Sequence, residues 1–264
     1  MTEGDLKQAR VVLTNDDGIQ SPGLKALARA LAKEFEVIVA APSQDMSGSG
    51  TAIGRIDVDA GVELTPIEFE DVANAYSIDG PPGLAVTAAA LGAFGAIPDL
   101  IVSGINAGIN TGHSIIHSGT VGAALTAHTF KLKGLAVSLA QSDPWHWDTA
   151  THFALPAAHW LLRRSQGPYV LNVNVPAVSV EEVVGVHWAD LDEFGYFRVA
   201  TADVADRRLQ FVVGASEGRS DPGTDTVLCY ENNVTVTPLR TVEPAAFPDV
   251  AASEVFGINE STTT

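Results

Sequence analysis

The 264-residue sequence contains a single cysteine, Cys229, which excludes a framework of intrachain disulfides and points to a reducing compartment. Positive charge is scarce: Lys and Arg together number 15 against 32 Asp and Glu, a net charge of -17. An excess of that size opposes nonspecific attraction to nucleic acid polymers and to anionic membrane surfaces. It leaves open a small phosphorylated substrate, because a bound cation and a few backbone N–H groups can reverse the potential locally. No apolar run reaches the length of a membrane span, since Lys, Asp, Pro or Gly interrupts each candidate. The stretch Met1 to Arg10 is polar and lacks the apolar segment of a secretory signal. We therefore expect a cytoplasmic protein. No internal repeat is present either. What the chain does have is a hydrophobic content of 46% and enough length to bury a large core, as one extended domain or two small ones.

The stretch Thr14-Asn15-Asp16-Asp17-Gly18 organises the rest. The preceding Val11-Val12-Leu13 is continuously apolar rather than alternating, as a parallel strand buried on both faces requires. Gly18 and Pro22-Gly23 then make a turn, and Leu24, Leu27, Ala28 and Leu31 recur at helical spacing. Strand, polar loop and helix in that order put the loop where open α/β sheets bind ligands. Adjacent carboxylates repel, so Asp16 and Asp17 at a strand end need a cation, a helix N-terminus or solvent to compensate them. The alternative is that Asn15, Asp16 and Asp17 only cap the following helix.

A second apolar strand, Glu36 to Ala41, ends at Pro42 and leads into the small-residue loop Ser43 to Thr51, which holds Ser47, Gly48, Ser49 and Gly50. Such a loop can turn N–H groups and hydroxyls onto an anion, or serve as a flexible connector. Consecutive parallel strands tend to be neighbours, which brings this loop beside Asp16 and Asp17. Leu100 to Ser103 reads as another buried strand. The loop beyond it runs through Asn106, Asn110, His113 and His117 to Ser118-Gly119-Thr120, where a helix from Val121 to Phe130 begins. Hydroxyls and free N–H groups at a helix start suit a phosphate, and the same residues would serve a plain N-cap. Two asparagines in a loop too long for a simple connection favour a binding site.

Elsewhere, Arg55 to Leu64 reads as an excursion of one or two strands and Ala75 to Ile78 as a short strand. Gly80-Pro81-Pro82-Gly83 opens an almost wholly apolar, hence buried, helix from Leu84 to Phe94. Leu135 to Leu139 and Tyr169 to Val175 are further strands; between them lies a helix from about Thr149 to Arg164 that Pro156 is expected to kink or split. From Val183 the pattern turns to short alternating runs, Val184 to Trp188, Tyr196 to Val199 and Leu209 to Val213, which suggest antiparallel hairpins. Gly223-Thr224-Asp225 makes a turn before a last strand, Asn233 to Leu239. The expected architecture is a three-layer, Rossmann-like α/β core with a mostly parallel sheet over residues 1–180. A β-rich extension over 181–249 and a disordered polar tail over 250–264 follow it.

These blocks, in this order, resemble the SurE (survival protein E) family of metal-dependent nucleoside monophosphate phosphatases. The resemblance rests on Thr14-Asn15-Asp16-Asp17-Gly18, Ala41-Pro42 with Ser47-Gly48, Pro98-Asp99, and Ser103-Gly104-Ile105-Asn106-Ala107-Gly108. It continues through Ser118-Gly119-Thr120-Val121, Asn172-Val173-Asn174-Val175-Pro176 and Gly223-Thr224-Asp225. It implies a 5'- or 3'-nucleotidase, acid-phosphatase-like in class, in which Asp16, Asp17, Ser47 and Asn106 hold one divalent cation per subunit, Mg2+ or Mn2+. All four offer oxygen, which suits those ions. Asn15, Gly48, Ser49, Ser103, Asn110, Ser118, Gly119 and Thr120 would hold the phosphorylated small-molecule substrate, while Asp16 or Asp17 orients or deprotonates an attacking water. It also implies a C-terminal hairpin arm exchanged within a homodimer or homotetramer. Departures from the family stand at Gly80-Pro81-Pro82, where Gly-Thr-Pro is usual, and over 189–208, which lacks a basic segment. His113 and His117 stand where an acidic residue and a tyrosine are common. Both histidines are candidates for substrate contact, for proton relay or for part of a second metal site, or they simply pack.

Overall fold

The computed structural model describes residues 7–164, 167, 169–193, 195, 199–205, 208–213 and 221–242. The first half alternates strands and helices: β1 (Arg10–Thr14), α1 (Pro22–Leu31), β2 (Glu36–Pro42), β3 (Leu64–Pro66), β4 (Asn74–Ile78) and α2 (Pro82–Ala90). Then come β5 (Leu100–Ala107), α3 (Gly119–Thr129), β6 (Lys133–Leu139), α4 (Trp147–Arg163) and β7 (Val170–Val175). The last part supplies β8 (Gly185–Trp188), β9 (Val199–Ala205), β10 (Arg208–Val213), α5 (Asp225–Tyr230) and β11 (Asn233–Leu239).

Nine of these strands form one sheet in the order β3-β4-β2-β1-β5-β6-β7-β11-β8. From β4 to β7 every pairing is parallel, which requires a crossover between partners and explains the helices on both faces. The apolar side chains of the central strands divide between those faces with period two. Val11, Leu13, Leu100, Val102, Leu135 and Val137 pack against α1 and α4, while Val12, Ile38, Ala40 and Ile101 pack against α2 and α3. The expected three-layer, Rossmann-like α/β class is the one observed. β9 and β10 pair with each other as a separate antiparallel two-stranded sheet.

Four expectations change at the level of elements. Pro156 does not split α4, which continues through it as one helix. The lost backbone bond and ring clash cost about 3 kcal/mol, and the helix buries Ala150, Ala154, Ala158, Leu161 and Leu162 against the sheet, with each fully buried Leu alone contributing about 1.5–3 kcal/mol. Over Arg55 to Glu63 only an isolated bridge, Asp57 to Gly61, replaces the expected strands. The helix expected to reach Phe94 ends at Ala90, just before Gly92 and Gly95 with their positive φ. The run Val184 to Trp188 supplies β8, which is parallel to β11 in the main sheet and not part of a hairpin. The expected tail over 250–264, and residues 196–198 of the run Tyr196 to Val199, lie outside the described residues.

Candidate active site

β1 is the strand at which the chain order reverses: β2 lies on one side of it and β5 on the other. The carboxyl ends of β1 and β5 therefore open the crevice in which a doubly wound sheet binds ligands. Asp16 and Asp17 follow β1 directly. Neither caps α1. That role falls to Ser21, whose hydroxyl accepts the N–H of Leu24 at 3.3 Å, and the capping alternative for the carboxylates falls away. Asn15 is fully buried and donates its amide to Gly18 O at 3.1 Å and Ser21 Oγ at 2.7 Å, so its side chain builds the turn.

Asp16 is 3% exposed, and its Oδ1 accepts the hydroxyl of Thr120 from the first turn of α3 at 2.5 Å. Burial pushes its pKa above the usual carboxylate value, a rise that Thr120 and nearby backbone N–H groups oppose. Asp17 Oδ2 accepts the N–H of Ala107, at the end of β5, at 3.3 Å. Burial first, then the charge of Asp16, push the Asp17 carboxyl up to about 6, and Asp45 adds to the rise. Among the described residues, neither aspartate takes part in an ion pair.

Asn106 comes to the same place from β5. Its amide donates to Gly108 O at 2.7 Å, and its Oδ1 lies 3.3 Å from the Thr120 hydroxyl that serves Asp16. Met46 N donates to Asp16 O at 2.7 Å and so ties the small-residue loop to the strand end. Ser47 is exposed on that loop; its N–H donates to Asp45 Oδ1 at 2.7 Å, and Ser47 holds that carboxyl below the usual range. Asp45 is thus a third acidic group at this rim, one that motif spacing does not single out. The signal for it is modest: an Asp two residues ahead of a serine, as in an Asx turn.

Gly119 is fixed by its surroundings. A Cβ there would stand 2.5 Å from Ser49 Oγ and 2.7 Å from both Cβ and Oδ2 of Asp16. Ser49 Oγ is itself buried and, among the described residues, has no hydrogen-bond partner. The start of α3, an orphan hydroxyl and a buried carboxylate thus share a cradle that a single methyl would fill. Gly48 beside it faces open space. Ser118 Oγ accepts the N–H of Val121 at 3.1 Å and is the N-cap of α3.

The remaining predicted residues sit one step back. Ser103 is fully buried within β5. Asn110 donates its side-chain amide to Ser138 Oγ at 2.9 Å, and its backbone is held from both sides: its N–H donates to Asn174 Oδ1 (2.7 Å), while its carbonyl accepts from Asn172 and Asn174 (2.8 Å each). Those two β7 asparagines carry the loop, and their signal was plain: polar residues two apart on one buried face of an otherwise apolar strand. His113 and His117 are both exposed, at the ends of a short 3-10 helix. Three residues per turn set positions four apart about 120° from each other, so the spacing does not pair these rings as it would on an α-helix. His117 O accepts the N–H of Gly50 at 3.1 Å, which closes this helix against the small-residue loop.

The donor set fits a hard divalent cation. It contains oxygen only, and its two carboxylates are desolvated and repel each other, a combination that a positive ion relieves. Among the described residues no cluster of three or more His, Cys, Asp or Glu stands ready for a metal, so an ion here would be held by carboxylate and neutral oxygens together.

Fold and site together define a doubly wound α/β protein with an acidic, oxygen-lined crevice at the switch point of its sheet, faced by a helix start. The family model described as Survival protein SurE matches residues 11–197. A 5'-nucleotidase SurE of Rubrobacter xylanophilus is 36% identical over 247 residues, covering 88% of this chain and 91% of that protein. One of Ruthia magnifica is 34% identical over 233 residues, covering 88% and 92%. The crystal structure of a Sure protein from Aquifex aeolicus superposes with a TM-score of 0.74 at 28% identity, covering 88% of this chain and 93% of that one. The chain belongs to the SurE family.

Proposed function

We propose that this protein is a nucleotidase that hydrolyses nucleoside 5'- or 3'-monophosphates to nucleoside and phosphate with the help of one divalent cation, Mg2+ or Mn2+. The observation that carries this reading is the convergence of Asp16, Asp17, Asn106 and the first turn of α3 at one point of the sheet's carboxyl rim. The names of its relatives support the substrate class.

Asp16, Asp17 and Asn106 would hold the cation, with the exposed hydroxyl of Ser47 as a fourth oxygen from the small-residue loop. When bound, such an ion polarises the phosphoryl group and lowers the pKa of water. The chain's own groups do the rest. The N–H groups of Gly119 and Thr120 hold the Asp16 carboxylate, while the positive end of α3 and the unpartnered hydroxyl of Ser49 would serve the phosphoryl oxygens. Thr120 fixes Asp16 in one rotamer by its hydrogen bond. Asp17, at the open edge of the pair, orients the attacking water and takes its proton. The bond from water oxygen to phosphorus forms as the bond to the sugar oxygen breaks, and that oxygen leaves as a hydroxyl. The proton on that hydroxyl comes from solvent, and Asp17 returns the one it took from water to solvent, so the count closes.

The separate β9-β10 sheet supports a further part of the reading, an arm exchanged within a homodimer or homotetramer. Cys229, a buried thiol pushed up to about 12 by burial, is unreactive and suits the cytoplasm. No described helix is long and apolar enough to cross a membrane.

The test is phosphate release from a panel of nucleoside 5'- and 3'-monophosphates and unrelated phosphorylated metabolites, each with Mg2+ or Mn2+. Release confined to nucleotides supports the reading. Release confined to another metabolite would move the substrate class, and saturable nucleotide binding without release would make the protein a sensor.

A further inference from the structure

Building on the phosphatase reading, we propose that Asp225 is a positioning residue whose carboxylate latches the β5-to-α3 loop so that the start of α3 meets the substrate. Asp225 opens the short helix α5 and is fully buried. Its Oδ2 accepts the N–H of Gly112 in the loop at 2.9 Å. Its Oδ1 accepts the N–H groups of Asp192 at 2.9 Å and Thr226 at 2.8 Å. The ring closes twice over. His113 N donates to Asp192 O at 3.0 Å, and Asp225 N donates to Asp190 O at 2.8 Å. Three stretches far apart in sequence, 111–113, 190–192 and 225–226, therefore meet on a single side chain.

The packing around this ring leaves no slack. Gly112 has φ of +61° and lies against Gly195, such that a Cβ on Gly112 would stand 2.3 Å from Gly195 N. A Cβ on Gly195 would stand 1.9 Å from Thr111 O. The loop thus has two anchors, the asparagines of β7 at Asn110 and the Asp225 ring at Gly112 and His113. Beyond the second anchor it is already helical from His113 to His117, and it delivers Ser118, Gly119 and Thr120 to Asp16. A shift at Gly112 passes through that stiff turn into the cradle.

Acceptor chemistry explains why an aspartate stands here. Three N–H donors converge, and a carboxylate offers acceptor sites on both oxygens with no hydrogen of its own. An asparagine would aim an N–H at one of those donors. A plain helix-capping role would not involve Gly112 or Asp192 at all, and α5 already has Thr224 at its N-cap position.

The test uses the full chain with two substitutions, Asp225→Asn and Gly195→Ala, and three readouts. Hydrogen exchange of metal-free protein should quicken at Gly112 and His113 in both variants. With a nucleoside 5'-monophosphate and Mn2+, kcat should fall roughly a hundredfold, the usual consequence of an ångström of misplacement. Calorimetric Mn2+ affinity should fall far less than kcat, because Asp17 is held by β5 alone and Asp16 and Asn106 lose only their contact with Thr120. Unchanged loop exchange, or quickened exchange with undiminished kcat, in a folded variant would overturn the latch. If Asp225→Asn fails to fold, Gly195→Ala decides by the same criteria. If the wild-type protein releases no phosphate, the functional reading fails by itself, while the exchange measurement still confirms or overturns the latch.

Discussion

Replacing Asp17 by Asn should stabilise the metal-free protein while removing its activity. The folded state raises the Asp17 carboxyl from 3.8 to about 6, chiefly through burial and then through the charge of Asp16. A rise of that size corresponds to about 3 kcal/mol. The sign follows from proton binding. Between about pH 4 and pH 6 the folded state keeps a proton that the unfolded chain has released, so stability falls as pH rises through that window. Above about pH 6 the full cost is present, and below about pH 4 it is gone. The Asn side chain is isosteric, carries no charge and keeps an oxygen for the N–H of Ala107. At pH 7 the metal-free variant should therefore melt higher than wild type, by up to roughly 6–12 °C for a chain of this size. The gap should close toward pH 4. Added Mn2+ should raise the melting temperature of wild type far more than that of the variant. Thermal unfolding of both proteins at pH 4 and 7, with and without Mn2+, checks this. A variant less stable than wild type at pH 7, or a gap indifferent to pH, would refute the electrostatic account of the aspartate pair.

Three other outcomes follow from the same geometry. Thr120→Val removes the hydroxyl that serves buried Asp16 and should cost about 1.5–3 kcal/mol in urea unfolding, the value of a hydrogen bond to a charged group. Gly119→Ala puts a methyl between Ser49 and Asp16, and phosphate release should drop by about two orders of magnitude in a protein that still folds, as measured in the standard turnover assay. Asn174→Ala leaves the N–H of Asn110 without its acceptor. It should destabilise by about 1–3 kcal/mol for each buried group orphaned, with a parallel loss of turnover.

Much of this arrangement was legible in the residues. β1 and β5 announce themselves as unbroken apolar runs because both faces are covered by helices, and the polar loops after them are where such a sheet must place its chemistry. Asp16 and Asp17 stood out because a strand end rarely carries two adjacent carboxylates without a use for them. Less legible was the division of labour among polar side chains. Asn15, Ser103 and Asn110 stand alike in a linear motif, yet the amide of Asn15 ties down the turn, Ser103 is sealed in a strand and the amide of Asn110 bonds the Ser138 hydroxyl. Motif spacing tells which residues are near the rim but not which way each side chain turns. Asp225 escaped for a related reason: its partners Gly112 and Asp192 are main-chain groups, and a backbone N–H leaves no trace in a sequence. β8 was misjudged because alternation of residue types says nothing of the direction of a strand's neighbour, and here Val186, His187 and Trp188 are all exposed beside a parallel β11.

The central claim is that Asp16, Asp17 and Asn106 gather one cation beside the start of α3 to hydrolyse a phosphate ester. Its most direct test is nucleoside monophosphate hydrolysis by purified protein stripped with a chelator and then titrated with Mn2+. The predicted result is no release after stripping and recovery that saturates at one ion per chain. Undiminished release from the stripped enzyme, or full recovery by an Asp16→Ala, Asp17→Ala double variant, would contradict it.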